Sequence, residues 1–384
     1  MKTVAVFFGS RSAEHDVSIV TALASIIKPL ELSKQYKVEA IYIAKDGSWH
    51  WGDKFKDISL YSAGNIDMVL QKDNPVQVSF DGGFSLIKQK SFGSKTHKVK
   101  IDIAIPATHG TNGEDGALMG LLEMANITYV GCGLESSVLA MNKVLAKQLA
   151  IQNNIFTPKF FYTNNAQSQS EQLKLYKLSK DLSLPLYVKP AHLGSSIGIT
   201  KVDNYGDLAN AIEVAAHYDS TVLVEESVQN CVEVTLPIMG NNKPTVGLLE
   251  RPMVLDEDFF DFNTKYMQGG KKTKGAKSAQ GYSELPAKLA KLVYDDAIKT
   301  GLNVYKALGC SGIARVDMLI NQKNKKVYFN EINPLPGDLY RHNWRAAGIS
   351  TVRLVTDLID FAEQRFKEKS AQTTTFSTNY LKQF

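Results

Sequence analysis

Cysteine is scarce: there are three in 384 residues, Cys132, Cys231 and Cys310, far apart and odd in number. No CxxC pair occurs and no histidine stands beside them at metal spacing, so neither a disulfide framework nor a cysteine–histidine metal site organises the chain. The thiols read as reduced and structural, the usage of a cytoplasmic protein. No apolar run approaches the roughly 18 residues that a membrane-spanning helix requires. The opening "MKTVAVFFGSRSAEHD" has only five apolar residues in a row before Gly9, too few for the core of a signal peptide. A block of like charge is missing as well. The net charge is +5 with acids and bases interleaved, which argues against nucleic acid as the principal partner and suits a small anionic substrate. There is no internal repeat, no low-complexity tract and no G-x-x-x-x-G-K-[ST] phosphate loop.

What is present is an ordinary globular composition, 44% hydrophobic and 22% charged, in a chain long enough for two or three domains. "TVAVFFG" reads as a buried strand, and residues Asp16 to about Pro29 carry apolar side chains at helical spacing, a Rossmann-like α/β opening. "VEAIYIA" and "IDIAIPATHG" continue the strands. Between them, residues 45 to 98 read as a strand-rich insertion in which "VQVSF" and "FSLIK" flank a Gly82-Gly83 turn. From Leu134 one helix, "LESSVLAMNKVLAKQLAIQNN", leads into "KFFYT", a further helix, "LPLYVKPAHLGSSIGITKV" and "STVLVEESV", a compact α+β unit over 134–228. A third region, 229–384, holds strands near 233 to 255, a lysine- and glycine-rich loop, a helix from Pro286 to Leu308, two more strands and a closing helix from Thr351 to about Lys367.

Those two strands are "ARVDMLI" and "VYFNEIN", joined by the polar "NQKNKK". Strict alternation sets Val327, Phe329, Glu331 and Asn333 on one face. If Ile320 pairs with Tyr328, Asp317 lies opposite Glu331 and Arg315 opposite Asn333. Two carboxylates directly across a strand pair repel one another unless a cation lies between them. Hard oxygen ligands without thiol or imidazole suit Mg²⁺; a solvated strand end neutralised by Arg315 is the alternative. "YVKPAHLGSSIG" puts Lys189 at the end of an apolar strand, followed by Gly194, Ser195, Ser196 and Gly198. Backbone N–H groups of such a loop converge on an anion and the lysine supplies a point charge for phosphate, although a Gly-Ser run is equally a simple turn. Glu14 and Asp16 sit where the first helix begins, a place acids also occupy for the helix dipole.

The set "SAEHDVS", "HGTNGEDG", "MNK", "YVKPAHLGSSIG", "VLVEE", "DFNTKY", "ARVD" and "NEINPLPG", in this order over nearly the whole chain, closely resembles the D-alanine:D-alanine ligases of the ATP-grasp superfamily. The resemblance implies an ATP-grasp fold behind an N-terminal Rossmann-like domain: 1–133, then 134–228, then 229–384 with a mobile loop over 256–283. It implies ATP and two Mg²⁺ ions, or Mn²⁺ in their place, D-alanine as the small-molecule substrate, a cytoplasmic setting and, as is common in the family, a homodimer. Carried over, Lys143, Lys189 and Lys265 look like phosphate lysines, and Glu225 and Glu226 like the adenine hinge, with Ser196 and Val228 also on the nucleotide. Asp317, Glu331 and Asn333 match the metal ligands. Glu14 would take the first substrate's ammonium and His109 would lie beside that substrate. Arg315 and the Gly337 N–H would receive the oxyanion, and Tyr266 would reach Ser195 and Glu14 as the loop closes.

Two departures stand out. The family's serine for the acceptor carboxylate is replaced by His342; that residue, Arg341 or Tyr340 could bind the carboxylate, or His342 could simply pack beside Trp344. The ribose glutamate is replaced by Val232, with Glu233 next to it, so that a one-residue bulge would restore the contact. Tyr266 stands where relatives that prefer a hydroxy-acid acceptor typically carry histidine, so an amine acceptor and a peptide product are expected.

Overall fold

The computed structural model describes residues 1–89, 96–164, 177–253 and 283–384. Near-continuous apolar strands need cover on both faces, and β1 (Lys2–Gly9) and β2 (Tyr36–Ile43) find it side by side in parallel, with β3 (Trp49–Trp51) antiparallel on the outer edge. The helix between β1 and β2 is longer than its apolar spacing suggests. It runs through α1 (His15–Val20), a π-helical stretch Thr21–Ile27 and α2 (Lys28–Ser33). Pro29 does not stop it: it follows directly on the π-helical stretch, where the regular i→i−4 ladder is already interrupted. The insertion adds two single-turn helices, α3 (Ile58–Ser62) and α4 (Ile66–Leu70), and a third strand, β6 (His97–Lys100), to the expected strands β4 (Gln77–Ser79) and β5 (Ser85–Lys88). Val78 faces Leu86 across the hairpin. β7 (Ile103–Pro106), α5 (Ala117–Met124) and β8 (Thr128–Tyr129) complete a sheet ordered β3-β2-β1-β7-β8.

The single helix expected over 134–154 is two, α6 (Leu134–Met141) and α7 (Lys143–Gln152). Asn142 separates them in an extended conformation, and its side-chain oxygen accepts from the N–H groups of Val144 and Leu145 at 3.0 Å each. Those donors have no partner inside the helix, so an asparagine cap restarts it in a new direction. The next sheet, ordered β11-β10-β12-β9, is antiparallel and consists of β9 (Phe160–Thr163), β10 (Leu186–Pro190), β11 (Thr200–Val202) and β12 (Val222–Glu226), with α8 (Leu208–Ala216) on its apolar face. Most of the helix expected after "KFFYT" lies outside the described residues.

β13 (Cys231–Met239), β14 (Thr245–Val246), β15 (Arg251–Pro252) and β16 (Ser283–Glu284) precede α9 (Lys291–Ala307). This helix starts later than Pro286, and the Ala287 N–H before it donates to the Leu249 carbonyl at 2.7 Å. β17 (Ile313–Asn321) and β18 (Val327–Asn333) join β13 and β14 in a sheet ordered β14-β13-β17-β18. One core fills the space between this sheet, α9 and the buried sides of α6 and α7. The closing elements, α10 (Arg341–Ala346) and α11 (Thr351–Ser370), return to the N-terminal sheet. There Leu354, Val355, Leu358 and Ile359 pack with Ile26, Leu30 and Ile105.

Candidate active site

The β17–β18 hairpin departs from ideal alternation at one place. At the turn end Ile320 pairs with Val327, not Tyr328, and Met318 pairs with Phe329. At the other end Asp317 faces Glu331 and Arg315 faces Asn333 as expected. The register shifts between Asp317 and Met318, where Asn330 is the extra residue of a β-bulge. The bulge changes which way the strand points. Val327 and Phe329 face the core, as does Ile332, whereas Glu331 and Asn333 are on the opposite face; the four do not share one face. An acid therefore follows two buried apolar side chains without being buried with them.

On that outer face Arg315 clamps Asp317 through Nε at 2.8 Å and Nη2 at 2.6 Å, and Asn333 Nδ2 donates to the same carboxylate at 3.1 Å. Glu331 turns instead to Lys143, whose Nζ is 3.4 Å away and also donates to the Leu193 carbonyl at 2.6 Å. Among the described residues no group of three or more His, Cys, Asp or Glu side chains could hold a metal; the oxygen donors here are two carboxylates and one carboxamide, a set suited to a hard cation that completes its shell elsewhere. Glu233 lies on the same face by simple alternation, opposite Leu319, while Val232 is in the core. β13 passes through this stretch without a bulge, so none is needed to turn Glu233 outward.

Lys189 and Glu225 are diagonal neighbours on β10 and β12, and their side chains are in contact. The other Glu225 oxygen is 2.9 Å from Nζ of Lys147, a residue the motif reading passed over although it follows Lys143 by one helical turn. All three groups are buried. Burial works to raise the Glu225 carboxyl, but the charges of Lys147 and then Lys189 outweigh it and hold it at about 2. A lysine ammonium thus lies close to each oxygen of the Glu225 carboxylate. Glu226 accepts the Ser183 N–H at 2.8 Å. Ser196 follows Ser195 in the loop after β10, both with positive φ, and Val228 lies half-buried just past β12.

Ser195 reaches across to Glu14 and donates to its carboxylate. A Cβ on Gly110 would come within 2.5 Å of Ser12 Oγ and 3.0 Å of Glu14 Oε2, and φ there is +70°, so this turn beside Glu14 needs glycine. Glu114 of the same motif, unremarked in the sequence, accepts from the N–H groups of Gly110 at 2.8 Å and Leu335 at 3.2 Å. Burial and then the Glu14 charge raise its carboxyl well above the usual range. His109 is fully enclosed, with Nε2 2.9 Å from Thr21 Oγ1. Burial and then Arg315 lower it to about 4.

Past Gly337 the residues Asp338, Leu339 and Tyr340 all have φ between 50° and 55°, an unusual left-handed run for side chains with a Cβ. Asp338 anchors it: its N–H donates to Thr21 Oγ1 at 3.0 Å, and its carboxylate accepts from Ser25 and from Arg341 Nε, the latter at 2.7 Å. The turn sets the Tyr340 ring 5.3 Å from the Arg315 guanidinium and 4.5 Å from the His342 ring. His342 does not pack on Trp344 as its partner; Nε2 is 2.8 Å from Glu250, which also accepts from Asn343 Nδ2 at 3.2 Å. Burial raises the Glu250 carboxyl, but His342 and Asn343 outweigh it and the net shift is downward. Lys265, Tyr266 and the loop 256–283 lie essentially outside the described residues.

Family models for the D-ala D-ala ligase N-terminus and C-terminus match residues 3–132 and 149–360. The D-alanine–D-alanine ligase of Thermosipho africanus is 33% identical over 379 residues, covering 99% of this chain and 98% of that protein. That of Acetivibrio thermocellus is also 33% identical, over 96% of this chain and 97% of its own length. Among solved structures, the D-alanine–D-alanine ligase of Coxiella burnetii superposes with a TM-score of 0.76 at 25% identity, covering 96% of this chain and 97% of that one. The VanG D-Ala:D-Ser ligase of Enterococcus faecalis gives 0.76 at 30% identity, with 94% and 99% covered. The chain belongs to the D-alanine–D-alanine ligase family.

Proposed function

We propose that this protein joins two D-alanine molecules at the expense of ATP, supplying the dipeptide for peptidoglycan precursors. A carboxylate oxygen of the first D-alanine attacks the γ-phosphorus and ADP leaves. The amine of the second then attacks the acyl phosphate carbon, loses its extra protons and expels phosphate. The protein's part in such chemistry is positioning and charge placement. Lys143 and Lys189, with Lys265 from the loop, bind the phosphates, and the hinge backbone beside Glu225 and Glu226 receives the adenine, with Glu233 directed at the ribose. Glu14 pairs with the donor's ammonium, and Arg315 with the Gly337 N–H receives the oxyanion. Tyr266, outside the described residues, is the residue that would close on Ser195 and Glu14 and exclude water. Asp317, Glu331 and Asn333 are the residues that would hold Mg²⁺, which when bound neutralises phosphate charge.

What carries this reading is a pair of contacts between separate parts of the chain: Ser195 of the phosphate loop with Glu14, and Lys143 of α7 with Glu331 of the hairpin. They bring donor-substrate, phosphate and metal residues to one cleft. The three parts so joined support domains 1–133, 134–228 and 229–384, and use of ATP supports a cytoplasmic setting. His342, tied to Glu250 through Nε2, binds the acceptor carboxylate as the doubly protonated imidazolium, whose Nδ1–H donates to it. The test is phosphate release with ATP and Mg²⁺ over D-alanine, D-serine, D-lactate and L-alanine, with mass spectrometry of the products. D-alanyl-D-alanine is expected. No D-alanine-dependent release would overturn the reading, and better use of D-lactate than of D-alanine would overturn the amine-acceptor assignment.

A further inference from the structure

Lys147 is fully enclosed on α7, with its Nζ 2.9 Å from Glu225 and 5.9 Å from the Phe329 ring centroid. An ammonium in such a place costs several kcal/mol of lost hydration, and an apolar side chain of similar volume fills a core without that cost. Packing alone does not explain the charge. Its neighbours do. Lys189 holds one oxygen of Glu225 and Lys147 the other, so a single carboxylate lies between two ammonium groups. Without Lys147 the pair Lys189–Glu225 would be neutral. An arriving polyphosphate would have to take Lys189 from a buried carboxylate and would face that carboxylate's repulsion once it had done so. With Lys147 as an ammonium, which burial lowers and the Glu225 charge works to keep, the triad carries a net positive charge, and Glu225 keeps a partner when Lys189 turns to phosphate.

We propose that Lys147 is a positioning residue that acts through Glu225 to leave Lys189 available to the nucleotide's phosphates. The inference rests on the ATP-dependent reading of this site.

The experiment uses the full chain with steady-state kinetics and a melting curve for each variant. Lys147→Met is expected to raise the KM for ATP about tenfold, a modest effect for an uncompensated buried charge, while kcat and the KM for D-alanine move by less than about threefold. Lys147→Arg keeps the charge and keeps the ATP KM near wild type. Adding Glu225→Gln to Lys147→Met removes the carboxylate that would otherwise hold Lys189, and should recover most of the lost ATP affinity. A purely structural lysine predicts the reverse, a double variant no better than the single one. If Lys147→Met alone does not fold, the double variant is compared with Glu225→Gln. Equal ATP KM values support the proposal, because Lys147 acts only through the carboxylate, and a further rise of about fivefold or more sinks it. An unmoved ATP KM in a folded, active Lys147→Met also sinks it. Wild type without D-alanine-dependent phosphate release would instead remove the ligase reading itself.

Discussion

Glu331 shows how much one side chain carries here. It is opposite Asp317 across the hairpin, within 3.4 Å of the Lys143 ammonium and partly exposed to the cleft. Its carboxylate does little for folding, because a partly solvated ion pair contributes at most about 1 kcal/mol. Its charge is needed where phosphate and cation meet. Glu331→Gln should therefore reduce phosphate release by about a hundredfold or more while the denaturation midpoint hardly moves. Near-normal turnover would refute the assignment of the hairpin to metal and phosphate.

Among the elements, the α6–α7 break at Asn142 is the most consequential for the site. The cap fixes the start of the helix that delivers Lys143 and Lys147, and Asn142 Nδ2 also lies 2.9 Å from His192 Nε2 in the phosphate loop. Asn142→Ala should cost about 1 kcal/mol in urea denaturation, the usual penalty for an empty N-cap, and raise the KM for ATP. Asn142→Ser, which can still accept the capping N–H bonds, should restore the stability. Equal stability of the alanine variant and wild type would show that the break is imposed by packing and not by the cap. The hairpin bulge makes the same point in a strand: one additional residue, Asn330, turns the acidic end away from the core.

Across the whole molecule the buried titratable groups of the cleft tie stability to pH. His109 is held at about 4 in the folded chain by burial and Arg315, against about 6.5 when unfolded. Between these values the unfolded chain takes up a proton that the folded chain refuses, so this histidine's contribution is fully present above about pH 6.5 and is lost progressively toward pH 4. The loss amounts to about 3 kcal/mol at most. Glu114, raised by burial and Glu14, acts in the opposite direction, its contribution falling as pH rises above the usual carboxylate range. A comparison of wild type with His109→Asn cancels the Glu114 effect. Expressed as variant minus wild type, stability should climb as pH falls from about 6.5 to 4. A flat difference would mean that His109 is protonated in the folded state.

Much of the site was legible because its motifs are local. Lys189 ends an apolar strand, glycines and serines follow it, and the acids of "ARVD" and "NEIN" lie on strands whose pairing places them opposite one another. Even the expected register was right at that end, although wrong by one residue at the turn, because the bulge at Asn330 makes up the difference. Local pattern could not tell that Glu225 faces two lysines, that His342 is bound to Glu250, or that His109 is buried. Each of these depends on side chains brought together from distant parts of the chain, and burial, which decides where a charge is tolerated and with which partner, exists only once the sheets have packed. Sequence determined which chemical groups are present and on which elements; tertiary packing decided which of them are paired, which are enclosed and which are left facing the cleft.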